Sequence, residues 1–233
     1  MAPRLLILLT DQSEESVRVI NRLIDQQIEL NFDGQAPKNR CFISVISYNH
    51  SVKDLCSGWL KEFDANPLRY ETLKKLIPDG AGGIVEVETR QPVWIEPIDV
   101  QFSGENYVNA ISMIIELAKT WSENHANSPV TIVLDCSYDC HVENALYEIE
   151  QLKRISTSDG SVLFFGSYSN TNHITQSAFS NVPGEWFSLL RIENIDNNVT
   201  KSRIGIIDRN VVCSFIDALT DVCAEEPGIS GFA

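Results

Sequence analysis

Basic residues are scarce in this chain. It carries 18 Lys and Arg against 32 Asp and Glu, a formal net charge of −14 over 233 residues. A surface so acidic repels phosphate backbones and anionic lipid headgroups, which argues against nucleic-acid binding and against a peripheral membrane role. Long apolar runs are also missing. Nothing approaches the ~20 apolar residues of a membrane-spanning helix, and the first apolar run, which follows Arg4, is shorter than a signal-peptide core. The six cysteines, Cys41, Cys56, Cys136, Cys140, Cys213 and Cys223, form no C-x-x-C pair. Cys41, Cys136 and Cys213 lie in or beside apolar runs, where a thiol behaves as a small core residue. The expectation is a cytoplasmic protein without disulfides. No Gly-x-Ser-x-Gly elbow, Gly-Lys-Thr phosphate loop or Gly-x-Gly-x-x-Gly turn follows an expected strand, so the common nucleophile and nucleotide signatures are absent as well.

What is present is an alternation of strands and helices. Leu5–Leu9 is apolar at every position, as in a central parallel strand buried on both faces. After Asp11-Gln-Ser-Glu-Glu-Ser16, the residues Val17, Ile20, Leu23, Ile24 and Ile28 fall at helical spacing. Cys41–Tyr48 and Ser51–Cys56 read as a hairpin across Asn49-His50. Asn66-Pro67 resembles an N-cap followed by a first-turn proline, which predicts a helix over Leu68–Ile77. The glycine-rich stretch from Pro78 to Gly83 then breaks it, and Ile84–Glu88 and Pro92–Ile98 are expected to be extended, the prolines making the second an edge or a loop. Val108, Ile111, Ile115, Ala118 and Trp121 mark another amphipathic helix. Val130–Leu134 is a second buried strand ending in Asp135, a helix runs from Val142 to about Ile155, and Ser161–Phe165 is a further strand. Gly166–Asn181 and Asn194–Thr200 read as loops, Trp186–Ile192 as either helix or strand, and Val211, Val212, Phe215, Ile216 and Leu219 as a last helix. The fold class expected is α/β: a doubly wound, mostly parallel central sheet flanked by helices, with one antiparallel edge hairpin. It forms a single domain over 1–224 with a flexible tail over 225–233.

Ligands of open α/β sheets sit where strands end and helices begin. Three such places carry polar residues: Asp11–Glu15, Ser103-Gly104-Glu105-Asn106, and Asp135. A strand ending in Asp-x-Ser, the hairpin Ile-Ser-Val-Ile-Ser-Tyr-Asn-His, a glycine loop before a helix and a strand ending in Asp follow in that order. So arranged, the chain resembles a von Willebrand factor A domain. The likeness is greatest to short bacterial versions found beside tellurite-resistance, MoxR-type or kinase–phosphatase gene clusters, and it extends to Gly80–Val87 and Ile206–Asn210.

Such domains hold a divalent ion with Asp-x-Ser-x-Ser, a Thr and a further Asp. Carried over, the resemblance implies a site of Asp11, Ser13, Glu15, Glu105 and Asp135, with Asp139 an alternative to Asp135. Glu15 and Glu105 stand where the family has hydroxyls. Four carboxylates around Mg²⁺ or Ca²⁺ would satisfy the ion internally; without an ion they would repel one another and raise some of their own pKa values. The other reading is a site that has lost its metal, with Ser13 capping a helix whose dipole Glu14 and Glu15 complement. Cys136-x-x-x-Cys140-His141 lacks a second ligand pair for zinc. His50, His125 and His173 are isolated, and Trp59, Trp94, Trp121 and Trp186 read as core or groove aromatics. The resemblance implies a non-catalytic protein-interaction adaptor in a bacterial stress-response or antiviral defence system, whose partner is an ATPase, kinase, phosphatase or effector. The alternative is a metal-dependent phosphohydrolase centred on Asp11.

Overall fold

The computed structural model describes residues 3–78, 83–99, 104–128, 131–137, 142–158 and 160–166. The chain runs β1 (Arg4–Thr10), α1 (Glu14–Leu30), β2 (Cys41–Ser47), β3 (Lys53–Trp59), α2 (Leu60–Ala65), β4 (Arg69–Pro78), β5 (Ile84–Val93) and α3 (Gly104–Asn124). After these come β6 (Ile132–Asp135), a 3-10 turn (Val142–Ala145), α4 (Leu146–Lys153), the short β7 (Ser156–Thr157) and β8 (Gly160–Ser161), and β9 (Leu163–Gly166).

The main sheet has five strands in the order β3-β2-β1-β6-β9. β1 is central and pairs in parallel with β2 and β6, and β6 pairs in parallel with β9. β3 closes one edge antiparallel to β2, with a register shift at Val45/Ile46. Leu5 to Leu9 are fully buried. Successive side chains of a strand point to opposite faces, so burial of all five means that both faces of β1 are covered. The α/β architecture with a mostly parallel sheet is therefore as the residue pattern predicted. Among the described residues no helix is long and apolar enough to cross a membrane, and Cys41, Cys56 and Cys136 are free thiols.

One local expectation needs correction. The helix predicted over Leu68–Ile77 is instead β4, which forms a ten-residue antiparallel ribbon with β5, from Arg69↔Val93 to Pro78↔Ile84. Asn66 closes a helix rather than opening one: it is the C-cap of α2, a helix that sequence reading did not foresee, and its side-chain amide donates to Glu62 O at 2.9 Å. Isolated helical propensity in Leu68–Ile77 loses to ladder pairing with a partner strand whose residues lie 6 to 24 positions further on, a contact that no local signal carries. Pro92–Ile98, expected as an edge or a loop, divides: Pro92 and Val93 end β5, and Trp94–Ile98 lies outside any strand.

The expectations for Trp186–Ile192, Asn194–Thr200, the helix at 211–219, the tail at 225–233, and residues Asp139, Cys140, His141 and His173 lie outside the described residues.

Candidate functional site

β1 and β6 end side by side, with Leu9 in register with Asp135. Asp11 lies just past the end of β1, and the Cys136 amide donates to Leu9 O at 2.9 Å. Two acidic residues thus meet at the carboxyl edge of the sheet, both almost fully buried.

Each is supplied with donors from its own loop. Asp11 Oδ1 accepts from the Ser13 amide at 2.8 Å and from Ser16 Oγ at 2.6 Å. Ser13 is the N-cap of α1, accepting from the Ser16 amide, and Glu14 and Glu15 occupy the first turn, where their charge favours the helix dipole. Ser16 Oγ also lies 2.8 Å from Thr10 Oγ1, so a small hydroxyl network closes under the start of the helix. Removing the Ser16 hydroxyl in Ser16→Ala leaves Asp11 short of one charge-assisted bond in a buried position. The variant should lose about 1–2 kcal/mol in urea unfolding, and a loss under ~0.3 kcal/mol would mean that the network is dispensable.

Asp135 Oδ1 accepts from the Ser137 amide at 3.0 Å, and Oδ2 from the Tyr107 hydroxyl at 2.8 Å. Tyr107 comes from α3 and is fully buried, edge-on to Tyr48 with ring centroids 5.0 Å apart. Burial pushes the Asp135 carboxyl up to about 6, aided by the neighbouring Asp11 charge and opposed by the bonds from Ser137 and Tyr107. The same burial and the same two carboxylates push the Cys136 thiol well above its usual range, the reverse of what a nucleophilic cysteine needs.

Gln12, between Asp11 and Ser13, adopts φ 58°, a left-handed conformation uncommon for a residue with a side chain. Its surroundings hold it there. Its amide nitrogen donates to Glu96 O at 3.0 Å, its side-chain oxygen accepts from Ser47 Oγ at 2.9 Å, and its carbonyl accepts from the Ile98 amide at 3.1 Å. Asn49 donates to Asp11 O at 2.9 Å and to Asp99 O at 3.2 Å, while Asn106 donates to Asn49 O at 2.6 Å. The crevice is therefore stitched by amides from the loops that follow β1 and β2 and from α3.

Of the five residues predicted as a site, the structure brings together Asp11, Ser13 and Asp135. Glu105 is exposed on the first turn of α3, Glu15 is half-buried on the first turn of α1, and neither is hydrogen-bonded to Asp11 or Asp135. Among the described residues no three acidic, histidine or cysteine side chains group as a metal site. Sequence reasoning missed Ser16, Tyr107, Gln12, Asn49 and Asn106 as site residues. Ser16 was detectable: it is a hydroxyl in the polar run Asp11–Ser16 that follows the first buried strand. For Gln12 and Tyr107 the sequence holds no signal, because their roles depend on elements far apart in the chain.

No family model matches the chain, and no curated protein matches it. Among solved structures it is similar to a secreted C11 cysteine protease from Bacteroides thetaiotaomicron, determined by X-ray in complex with an irreversible peptide inhibitor. That match has 12% identity and a TM-score of 0.37, and it covers 100% of this chain and 62% of the protease. So distant a likeness carries nothing about chemistry.

Proposed function

We propose that the protein is a non-catalytic interaction adaptor of the von Willebrand A type, acting in a bacterial stress-response or defence system beside an ATPase, kinase, phosphatase or effector. The supporting observation is that each strand-end carboxylate is already engaged by donors of its own chain: Asp11 by Ser13 and Ser16, Asp135 by Ser137 and Tyr107. Such a crevice is a preorganised polar surface at the place where α/β sheets bind ligands. The oxygens of Asp11, Ser13 and Asp135 are the type a hard cation takes; they are few for Ca²⁺, and Mg²⁺, which needs only one or two carboxylates but keeps several waters, would have to seat those waters beside two buried side chains. An ion at Asp11 Oδ1 would also have to displace the Ser16 hydroxyl. The residues fit a hydrogen-bonded site better than a metal site, and partner binding on this reading does not depend on metal.

The test is capture of the partner from the native host on the tagged full chain, with and without EDTA, beside melting curves in millimolar Mg²⁺. The expected outcome is a partner retained in EDTA and a melting temperature that Mg²⁺ leaves unchanged. A complex that dissolves in EDTA and reforms with Mg²⁺ overturns the reading.

One observation favours a second reading, a metal-dependent phosphohydrolase. A carboxyl raised to about 6 beside another carboxylate is the kind of pair that proton-transfer chemistry uses. Turnover of a generic phosphate ester that vanishes in Asp11→Ala would establish that reading in place of the adaptor.

A further inference from the structure

The β4–β5 ribbon is a separate two-stranded sheet, and among the described residues neither of its strands pairs with a third. An isolated hairpin is marginal in water; independent stability needs at least three strands with an apolar face, or packing against a helix. This one is paired over ten positions, with Tyr70, Glu71, Lys74, Ile84, Glu86 and Arg90 exposed along it. Directly opposed residues share a face, so Leu73 lies with Thr89 and position 77 with Val85 on one side, and Thr72 with Arg90 and Lys74 with Glu88 on the other.

The two edges are not equivalent. Each strand carries one proline, which offers no N–H to a ladder: Pro92 within β5, and Pro78 as the last residue of β4, outside a pairing centred near the middle of that strand. Antiparallel self-pairing of β5 about Val87 sets Glu86 against Glu88, and about Glu88 sets that residue against itself. Pairing about Thr89 draws Pro92 into the new ladder. β4 behaves differently. A two-fold axis perpendicular to the sheet keeps each face on its own side, so a symmetric pairing must be centred on a residue. Centred on Leu73, the sequence Tyr-Glu-Thr-Leu-Lys-Lys-Leu (70–76) opposes Glu71 to Lys75, Tyr70 to Leu76 and Thr72 to Lys74, each twice. A shift of the centre to Thr72 opposes Arg69 to Lys75, and a shift to Lys74 opposes that lysine to itself. One register is complementary, and its neighbours on either side are repulsive.

We infer that the free edge of β4 pairs with β4 of a second copy of this chain, antiparallel about Leu73, to give a four-stranded sheet across a two-fold axis. The charge distribution agrees. The two strands hold four basic residues (Arg69, Lys74, Lys75, Arg90) and three acidic ones (Glu71, Glu86, Glu88), while the whole chain carries −14. The ribbon is thus the near-neutral part of an acidic molecule, and contact there lets two copies meet away from their mutual repulsion. Glu71 already pairs with Arg69 and Lys74 with Glu86, but these pairs are exposed and weakly held, so they do not compete with a new ladder. The inference is independent of the adaptor reading, since it uses no residue of the strand-end crevice.

Sedimentation velocity on the full chain at rising concentration tests it. The wild type should shift from monomer to dimer. Glu71→Lys and Lys75→Glu should each weaken the dimer about tenfold or more, because two opposite-charge contacts become two like-charge contacts. The double variant Glu71→Lys/Lys75→Glu exchanges the charges across the axis and should restore it. Leu73→Cys, on the axis, should give a disulfide-linked dimer on mild oxidation, and unchanged melting temperatures would show that the variants fold. A wild type that stays monomeric at every concentration, a dimer indifferent to both single reversals, or a double variant that fails to restore association overturns the proposal.

Discussion

Asn21→Leu should lower stability by about 4 kcal/mol, read as a shift of the urea midpoint at constant slope. Asn21 sits in the middle of α1, buried, and its side chain serves the backbone of the segment leaving β5. Its oxygen accepts from the amides of Trp94 at 2.8 Å and Ile95 at 3.2 Å, and its nitrogen donates to Ile95 O at 3.0 Å. Trp94 and Ile95 are themselves buried, and the Trp94 indole donates to Phe63 O at 2.8 Å. Leucine has the same number and branching of side-chain heavy atoms, is bulkier, and has no hydrogen-bonding group. Two N–H groups and one carbonyl would be left in apolar surroundings, at roughly 1–3 kcal/mol each before relaxation. Asn21→Asp keeps the acceptor but buries an ionisable group and sets its second oxygen against the Ile95 carbonyl, so it should also be destabilising, and more so at pH 7 than at pH 4. A loss below ~1 kcal/mol in the leucine variant would mean that the segment docks through its side chains alone.

Asp135→Asn should do the opposite and stabilise the protein at pH 7.5 by about 2 kcal/mol, measured in EDTA so that no metal contributes. The folded-state pKa of about 6 lies above the ordinary aspartate value of 3.8, so between those values the folded protein holds more protons than the unfolded chain. For this group stability is greatest below pH ~4 and is lost as pH rises through about 6, because the native state must then bury a charge. The amide carries no charge, and its oxygen can still accept from Tyr107 or Ser137. The stability gain of the variant should therefore grow between pH 4 and 6 and level off above. A gain independent of pH, or a loss at pH 7.5, would show that Asp135 is held as a carboxylate for its interactions and not against them.

The sheet was legible in the residues because burial on two faces leaves a mark in one dimension. Leu5–Leu9, Cys41–Ser47 and the run ending at Asp135 are apolar without alternation, and all three became adjacent parallel strands. The candidate site was legible in part for the same reason: polar residues immediately after such runs fall at the carboxyl edge, where Asp11, Ser13 and Asp135 do meet. Glu15 and Glu105 show the limit of that argument. Both stand at the correct loop ends, but the first turn of a helix carries consecutive side chains in directions about 100° apart. A position counted along the chain therefore does not give the direction a carboxylate takes.

By itself the sequence determined the α/β class, the central strand, the helix cap at Ser13 and the acidity that disfavours nucleic acid. Each of these depends on composition or on a period of two or 3.6 residues, which is local information. Tertiary structure alone decided that Arg69–Pro78 is a strand, that Ser16 and not Glu15 serves Asp11, that Tyr107 reaches Asp135, and that Asn21 clamps Trp94 and Ile95. Those outcomes join residues separated by between 5 and 74 positions. They are settled by which buried donors and acceptors must find one another once the core has closed, since an unpaired polar group there costs more than the local preference it overrides.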